Sequence, residues 1–170
     1  MSAAAATPFD STHFRSVFAQ LPTSVVIITG VTTGGAPLGI TIGSFASISL
    51  DPPLAGFYIG NSSRTWPLIA ATGKFCANVL ASDQAELCWR FAKDGVDGSR
   101  FDGLQLSTSP NGSPVLPSVV ATIDCTLHAT HHVGDHDLVV GAVTHLAATS
   151  STVSSMVFYK GKVGDARIDS

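Results

Sequence analysis

The sequence predicts a mainly β protein, an antiparallel barrel of six or seven strands with two or three short helices. Runs of apolar and β-branched residues recur along the chain and are separated by Gly- and Pro-rich turns. No helix is regularly interposed between these runs, as it would be in a parallel, doubly wound sheet. Closing an antiparallel sheet into a barrel removes its exposed edges. We therefore expect a closed or nearly closed sheet.

Composition predicts one domain that associates with a second copy of itself. The 170 residues are 45% hydrophobic and only 12% charged, about half the charged content of roughly 25% that is typical of soluble domains. A monomer with this few charged residues would leave much apolar surface exposed to water. We therefore expect a homodimer that buries apolar surface. The net charge is −3 and there is no basic run. Nucleic-acid binding is therefore not expected.

The chain carries no pattern of a membrane span and three isolated cysteines. No stretch approaches the roughly 18 uninterrupted apolar residues of a spanning helix. The start, MSAAAATPFD, lacks a basic segment followed by a long apolar one, so residues 1–11 are predicted to be a disordered tail. Cys76, Cys88 and Cys125 lie in apolar sequence. They are predicted to be buried, reduced thiols, which suits a cytoplasmic protein.

Three short helices are predicted from apolar spacing and from polar residues at their starts. The pattern of STHFRSVFAQL predicts an amphipathic helix over residues 11–21 with Ser11 or Thr12 as its cap. Residues 62–73 predict a helix with a serine cap, a proline in its first turn and a glycine at its end. Residues 82–92 predict an amphipathic helix capped by its first serine.

The strands are predicted from the alternation of apolar and polar residues and from the turn residues between them. Residues 23–50 read as two strands joined by the Gly34-Gly35 turn. Asp51-Pro52-Pro53 ends the second strand, because two prolines remove ladder donors. Residues 93–117 are rich in Gly, Ser, Asp and Pro and are predicted to be a long loop. The remaining strands are predicted at residues 54–60, 74–81, 118–133, 136–148 and 155–164.

Two stretches combine small polar residues in a way that suits a ligand. In GITIGSFASISLDPPL (39–54), hydroxyls and a glycine on a strand would let a flat polar ligand approach the backbone. The alternative is an edge strand whose hydroxyls meet water. In NSSRTW (61–66), hydroxyls and free N–H groups at a helix start, beside Arg64, predict a phosphate site. The alternative is ordinary helix capping with a solvated arginine.

Five of the six histidines lie between residues 128 and 145. Imidazole is a common zinc ligand, but no carboxylate or cysteine lies at a recognisable ligand spacing. His128, His132 and His136 are also too spread along an extended chain to converge, so no metal site is predicted. A histidine-rich, non-enzymatic metal-binding module stays open as an alternative. The Gly134-Asp135 pair predicts a tight turn that presents His136 at a strand start.

Several motifs, taken in order, resemble the flavin reductase family with the FMN-binding split-barrel fold. They cover roughly residues 12–164, with a C-terminal tail over 165–170, and the combination of SFASISLDPP with GDH and GAV is the most specific part. The motifs are FRSVFAQLPTSVVIITG, GITIGSFASISLDPPL, SSRTWPLI, GKFCANVLASDQ, RFDGL, GSPVLPSVVATIDC, GDHDLVVGAVTHL and FYKGKVG. The resemblance is strongest to the reductase components of two-component flavin monooxygenases.

This resemblance implies an NAD(P)H:flavin oxidoreductase. Such proteins pass hydride from NADH or NADPH to FMN or FAD and supply reduced flavin to a separate oxygenase, and their subunits form homodimers. A flavoprotein of the same fold that keeps its flavin for another redox or sensing role is the alternative. Gly43 stands where many relatives carry a larger side chain.

The resemblance also implies roles for individual residues. His136 would lie beside the nicotinamide as the catalytic residue. Backbone groups around residues 42–44 would face the pyrimidine side of the flavin ring, and residues 63–65 would hold its phosphate. The cofactor-binding residues implied in this way are Thr41, Ile42, Gly43, Ser44, Phe45, Ser47, Ile48, Ser49, Ser63, Arg64, Thr65, Arg100 and Tyr159.

Overall fold

A computed structural model describes residues 8–93, 96, 98–149 and 152–167. The predicted fold class is confirmed, because the described residues form three α-helices, one 3₁₀ helix and antiparallel sheets, consistent with a split barrel. The elements in chain order are α1 (Ser11–Phe18), β1 (Thr23–Ser24), β2 (Val26–Val31), β3 (Pro37–Ile42), β4 (Ala46–Leu50), β5 (Pro53–Gly60), α2 (Trp66–Ala70), β6 (Lys74–Val79), α3 (Ala85–Ala92), the 3₁₀ helix Ser99–Phe101, β7 (Ser107–Thr108), β8 (Pro114–Val115), β9 (Ala121–Val133), β10 (His136–Ala148), β11 (Met156–Tyr159) and β12 (Lys162–Asp165).

The main sheet has seven strands in the order β3-β2-β6-β9-β10-β5-β4. Strands β3 and β4 are consecutive in the chain, yet they lie at the two opposite edges of this order. Residues 43–45 connect them, and β3 approaches β5 directly. The sheet therefore curves back on itself, so that its two edges meet at residues 43–45. We call this segment the junction.

The junction corrects the prediction of one strand over the second half of residues 23–50. The chain leaves its ladder with β2 after the pair Val26↔Ile42 and joins β5 at the pair Ala46↔Gly56. Gly43 has no side chain to pack in a ladder, and a glycine inside a strand pattern often marks such a bend. The hydrophobic alternation continues through the junction, so sequence periodicity does not reveal the break.

The C-terminal strand prediction over residues 155–164 is also corrected, because two strands form there. Tyr159 pairs with Lys162, which leaves a two-residue turn between β11 and β12. Lys160 and Gly161 both have positive φ, at 49° and 78°. This is the conformation that a tight, right-twisted hairpin requires.

Residues 93–117 are not simply a loop, as the sequence suggested. They contain the 3₁₀ helix and the short β7–β8 hairpin. Asn111 fastens this hairpin to the main sheet. Its amide nitrogen Nδ2 donates to the Phe75 carbonyl at 2.9 Å, and its backbone N–H donates to Asp124 Oδ2 at 3.0 Å. The sequence does not reveal these long-range bonds.

All three helices differ from the prediction at their starts. Helix α2 spans only Trp66–Ala70 instead of residues 62–73, although the Ser63 hydroxyl does accept from the Trp66 N–H at 3.2 Å. Helix α1 is capped by Asp10, whose carboxylate accepts from the His13 N–H at 2.7 Å, rather than by Ser11 or Thr12. Helix α3 begins at Ala85, and the Ser82 N–H instead donates to the Ser154 carbonyl. The predicted 1–11 tail therefore overlaps the start of α1, and residues 1–7 and 168–170 lie outside the described residues.

The core has two parts, which lie on the two faces of β2. One cluster fills the barrel and includes Val26, Phe57 and Phe75; the other lies under α3 and includes Ile27 and Phe91. Alternate residues of β2 therefore enter different clusters, as the period of a strand requires. The helices α1 and α3 have only eight residues each, and none of the described helices could traverse a bilayer.

Candidate functional site

The junction presents unpaired backbone donors at the point where the barrel edges meet. Within the described part of the chain, the N–H groups of Gly43, Ser44 and Phe45 donate no backbone hydrogen bond. Gly43 is exposed, and Ser44 and Phe45 are half-buried. Successive free amides in an accessible segment can bind the carbonyl and nitrogen acceptors of a ligand.

The hydroxyl of Ser44, unlike its backbone N–H, is already hydrogen-bonded within the protein. It accepts from the Tyr58 N–H at 2.9 Å and donates to the Tyr58 carbonyl at 3.2 Å. The hydroxyl proton of Ser44 is therefore donated to β5. The remaining hydrogen-bond donor of Ser44 is its backbone N–H, which stays unpaired within the described part of the chain. The Ser24 hydroxyl donates weakly to the Phe45 carbonyl at 3.4 Å.

An apolar cavity of about 250 Å³ adjoins the junction. We call it the Trp89 cavity. Thr41 lies in its wall, but the Thr41 hydroxyl donates to the Cys88 carbonyl at 2.8 Å. The residues that line it are Val25, Thr41, Ile42, Gly43, Cys88, Trp89, Ala92 and Phe158. Strand β3 and helix α3 thus bring three of the implied flavin-binding residues together with five that the resemblance did not supply.

The serines of β4 lie on the sheet edge beyond the junction. Ser47 is exposed and Ser49 is half-buried. Neither hydroxyl makes a hydrogen bond with another described residue. Ile48 occupies the bulge between them and lies over Gly56, where an added Cβ would come within 2.7 Å of Ile48 Cδ1. Gly56 is thus the residue that lets Ile48 lie against β5.

His136 begins β10, directly after the predicted Gly134-Asp135 turn, which is present with Gly134 at φ 65°. His136 Nδ1 lies 2.7 Å from Asp135 Oδ1. Because Nδ1 is engaged with Asp135 and Nε2 bonds to no other described residue, Nε2 is the ring nitrogen available to a ligand. This hydrogen bond, followed by the charge of the imidazole, lowers the pKa of the exposed Asp135 carboxyl below its usual value.

A second, larger cavity of about 760 Å³ lies beside His136. We call it the His136 cavity. Its wall includes Tyr58, whose backbone the Ser44 hydroxyl binds, so this cavity also approaches the junction. Its other lining residues are Phe9, Asp10, Ser11, Phe14, Arg15, Phe18, Asp135 and His136.

The predicted phosphate segment is held against the His136 turn. The Asn61 N–H donates to the Asp135 carbonyl at 3.0 Å. Ser62 Oγ and His136 Nε2 each lie 3.8 Å from the position of an added Cβ on Gly60. Asn61 and Asp135, which are 74 positions apart in sequence, are therefore neighbours.

The three residues implied for the phosphate itself differ in their availability. Arg64 is exposed and has neither an ion pair nor a hydrogen bond with any other described residue. The Ser63 hydroxyl accepts from the Trp66 N–H at 3.2 Å, and Thr65 is buried at the start of α2. Arg64 is therefore the available charged group of the segment.

Arg100 and Tyr159, the last two implied cofactor residues, belong neither to the two cavities nor to the junction. Arg100 is only 9% exposed, and its Nη1 donates to the Gly39 carbonyl at 2.8 Å and the Phe91 carbonyl at 3.4 Å. Its guanidinium thus holds β3 to the end of α3. Tyr159 lies on β11 with Lys160 Nζ 5.1 Å from its ring centroid.

The histidines and cysteines form no metal centre among the described residues. His132 Nδ1 instead pairs with Asp137 Oδ1 across β9 and β10 at 3.1 Å. All three cysteines are free and buried. Burial, followed by the nearby charge of Asp124, raises the pKa of Cys125 to about 12.

Sequence reasoning missed the aromatic wall of both cavities. Trp89 is 44% exposed and forms an edge-to-face pair with Phe158, with centroids 6.3 Å apart. Tyr58 is 50% exposed at the other cavity. The available signal was Trp89 itself, a large aromatic on the face of α3 opposite its buried residues. Phe158 carried no comparable signal, because it lies in a short apolar run.

A β-barrel with unpaired amides beside an apolar cavity, and with a histidine turn in a second cavity, is suited to binding flat, partly polar ligands. Comparison with known proteins narrows this class. The flavin reductase like domain family matches residues 18–167. This match spans most of the chain, which therefore belongs to that family.

Individual relatives agree with the family. A flavin reductase from Pseudomonas putida is 44% identical over 155 residues, covering 91% of this chain and 89% of its own. The reductase subunit HsaB of a flavin-dependent monooxygenase from Rhodococcus jostii (strain RHA1) is 40% identical over 160 residues, covering 94% and 80%. The crystal structure of a nitrilotriacetate monooxygenase component B homolog from Mycobacterium thermoresistibile has a TM-score of 0.87 at 38% identity, covering 93% and 87%.

Proposed function

We propose that this protein reduces flavin at the junction with NADH or NADPH and that the reduced flavin serves a separate monooxygenase. The chain is an NAD(P)H-dependent flavin reductase, as its family and relatives show. Supply of reduced flavin to an oxygenase is the role of the reductase subunits that it resembles. The position of the flavin and the roles of individual residues are our proposal.

The observation that carries this assignment is the set of three unpaired amides at residues 43–45. A bound flavin supplies the hydride-accepting N5 atom. Reduction leaves negative charge along the N1–C2=O edge of its ring, and fixed N–H donors stabilise charge that develops during a reaction. The hydroxyls of Ser47 and Ser49, which bond to no other described residue, are further donors on the same edge.

The nicotinamide nucleotide fits the His136 cavity. Asp135 orients the imidazole through the 2.7 Å bond to Nδ1. His136 Nε2 is then available to bind the nicotinamide carboxamide or a dinucleotide phosphate. No acid–base pair is needed, because hydride passes directly between the two rings once they are stacked at reacting distance. Both FMN and FAD, and both NADH and NADPH, remain candidates for this site.

Arg64 is the proposed phosphate ligand. It is an exposed cation in the segment that contacts the His136 turn, and its side chain pairs with no other described residue. A charged phosphate contact contributes about 1.5–3 kcal/mol. Ser63 and Thr65 position this segment, through the Trp66 N–H and the start of α2 respectively. Arg100 and Tyr159 are left out of the proposed site.

We also propose a homodimer that covers α1. This helix has no buried residue, although Phe9, Phe14 and Phe18 stack on one another with centroid separations of 6.0 and 4.4 Å. Val17 and Leu21 are exposed at 53% and 58%. Covering such a surface contributes about 25 cal/mol per Å². Since α1 also lines the His136 cavity, the same interface would enclose that cavity.

A cytoplasmic location completes the proposal. The support is that all three cysteines are free and buried, as suits a reducing compartment. Fractionation of cells that express the protein tests it. Recovery outside the cytoplasmic fraction would contradict it.

A steady-state assay that crosses NADH and NADPH with FMN, FAD and riboflavin tests the central function. We expect loss of nicotinamide absorbance that depends on added flavin, with at least one nucleotide. Absence of flavin-stimulated oxidation in every combination would overturn the assignment. The same matrix identifies the preferred flavin and nucleotide.

A further inference from the structure

The Trp89 cavity has no role in the function described so far. We propose that it binds the benzenoid end of the flavin ring, the dimethyl-substituted carbocycle opposite the pyrimidine, with Trp89 as its outer wall. This inference rests on the proposed flavin site at the junction. It adds a flavin-binding residue, Trp89, on a helix that carries none of the residues implied by the family motifs.

The chemistry of the wall selects a neutral, apolar group. None of the described residues that line the cavity carries a charge. The hydroxyl proton of Thr41 is already donated to the Cys88 carbonyl at 2.8 Å. Burial raises the pKa of the Cys88 thiol, so this group is uncharged at neutral pH. A phosphate, a ribose or a carboxamide would lose its hydrogen bonds to water here and find no replacement.

The size of the cavity selects part of a ring system. Its volume is about 250 Å³, somewhat less than the roughly 300 Å³ at which pockets for whole drug-sized ligands begin. A single substituted ring fits such a space, but the complete three-ring flavin does not. The rest of the ligand must therefore project from the mouth.

The position of Gly43 determines where the rest of the ring lies. Gly43 belongs both to the cavity wall and to the junction with its unpaired amides. A flat ring that enters the cavity by its apolar end therefore carries its polar end over residues 43–45. One orientation satisfies both the apolar wall and the amide donors.

Trp89 provides the aromatic surface at the mouth. It is 44% exposed, whereas the other tryptophan, Trp66, is buried in the barrel core. The interplanar angle of 70° with Phe158 fixes the indole edge-to-face and leaves part of its surface accessible. Aromatic pairs of this kind add binding energy beyond their buried area. Flavin bound there should quench the emission of Trp89 and leave that of Trp66 less affected.

The test measures the dissociation constants of riboflavin, FMN and FAD from flavin fluorescence, without turnover. Trp89→Ala should weaken all three by the same factor, about tenfold, since they share one ring. Trp89→Phe should restore most of the affinity. Leu146→Ala, at a 67% exposed residue that lines neither cavity, is the control and should bind as the wild type does.

A second variant tests the cavity without removing a contact. Ala92 lies in the wall and is exposed, so Ala92→Leu should occupy the space with little effect on folding and should weaken all three flavins. This variant decides the question if Trp89→Ala fails to fold.

Two outcomes would overturn the inference. Unchanged affinities in Ala92→Leu and in folded Trp89→Ala would show that no ring enters the cavity. A loss confined to FAD would show that the cavity takes the adenine ring instead. Failure of the proposed function is seen separately, as wild-type protein that binds flavin but does not oxidise NADH or NADPH.

Discussion

The side chain of Ser44 replaces a strand at the open edge of β5. Its hydroxyl bonds to both the N–H and the carbonyl of Tyr58, at 2.9 and 3.2 Å. Strand β4 pairs with β5 only as far as Gly56, so Tyr58 has no backbone partner on that side. One hydroxyl thus completes the barrel where the backbone ladder stops.

Ser44→Ala should therefore destabilise the fold by about 1 kcal/mol, because two backbone groups of Tyr58 lose their partner at a half-exposed position. Thermal unfolding followed by circular dichroism measures this. Ser47→Ala is the matched control, since its hydroxyl bonds to no described residue, and it should leave the melting temperature unchanged. Equal stability of both variants would contradict the bridging role.

Arg64→Ala should weaken FMN more than riboflavin, because only FMN offers a phosphate for a charge-assisted bond of about 1.5–3 kcal/mol. Flavin fluorescence titration of both ligands measures the difference. Arg167→Ala, which removes an exposed guanidinium paired with Asp165, is the control. Equal weakening of FMN and riboflavin by Arg64→Ala would exclude Arg64 from the phosphate site.

His136→Ala should raise the KM for the nicotinamide nucleotide or slow flavin reduction by roughly tenfold, a loss of about 1.4 kcal/mol. Flavin affinity should change little, because His136 lines neither the Trp89 cavity nor the junction. Stopped-flow reduction across nucleotide concentrations measures the first effect, and fluorescence quenching measures the second. His132→Ala, which removes the other carboxylate-paired histidine, is the control. A defect limited to flavin binding would remove His136 from the nucleotide site.

Phe14→Glu should shift the protein from dimer to monomer, because a buried, unpaired charge at the interface of α1 costs more than the interface can supply. Light scattering coupled to gel filtration measures the mass at micromolar concentration. Gln20→Glu adds the same charge two residues beyond the end of α1 and should stay dimeric. A wild-type mass of one subunit would refute the dimer outright.

The sequence by itself determined the β class, the order of the motifs, the buried thiols and the turn before His136. Each of these depends on local chemistry, such as strand alternation, glycine in a turn or apolar neighbours of a cysteine. The family resemblance rested on the same local motifs, which explains why it held over most of the chain.

Only the tertiary structure decided what the side chains of those motifs contact. The hydroxyls of Thr41 and Ser44 suited a ligand in the sequence, but the fold directs them to Cys88 and Tyr58. Arg100 was implied as a cofactor-binding residue, yet it binds carbonyls of β3 and α3. Which groups become neighbours depends on strand order and register, and these result from packing between segments distant in sequence. The backbone amides of the junction are free for the same reason, since the ladder that would have paired them ends at Ile42.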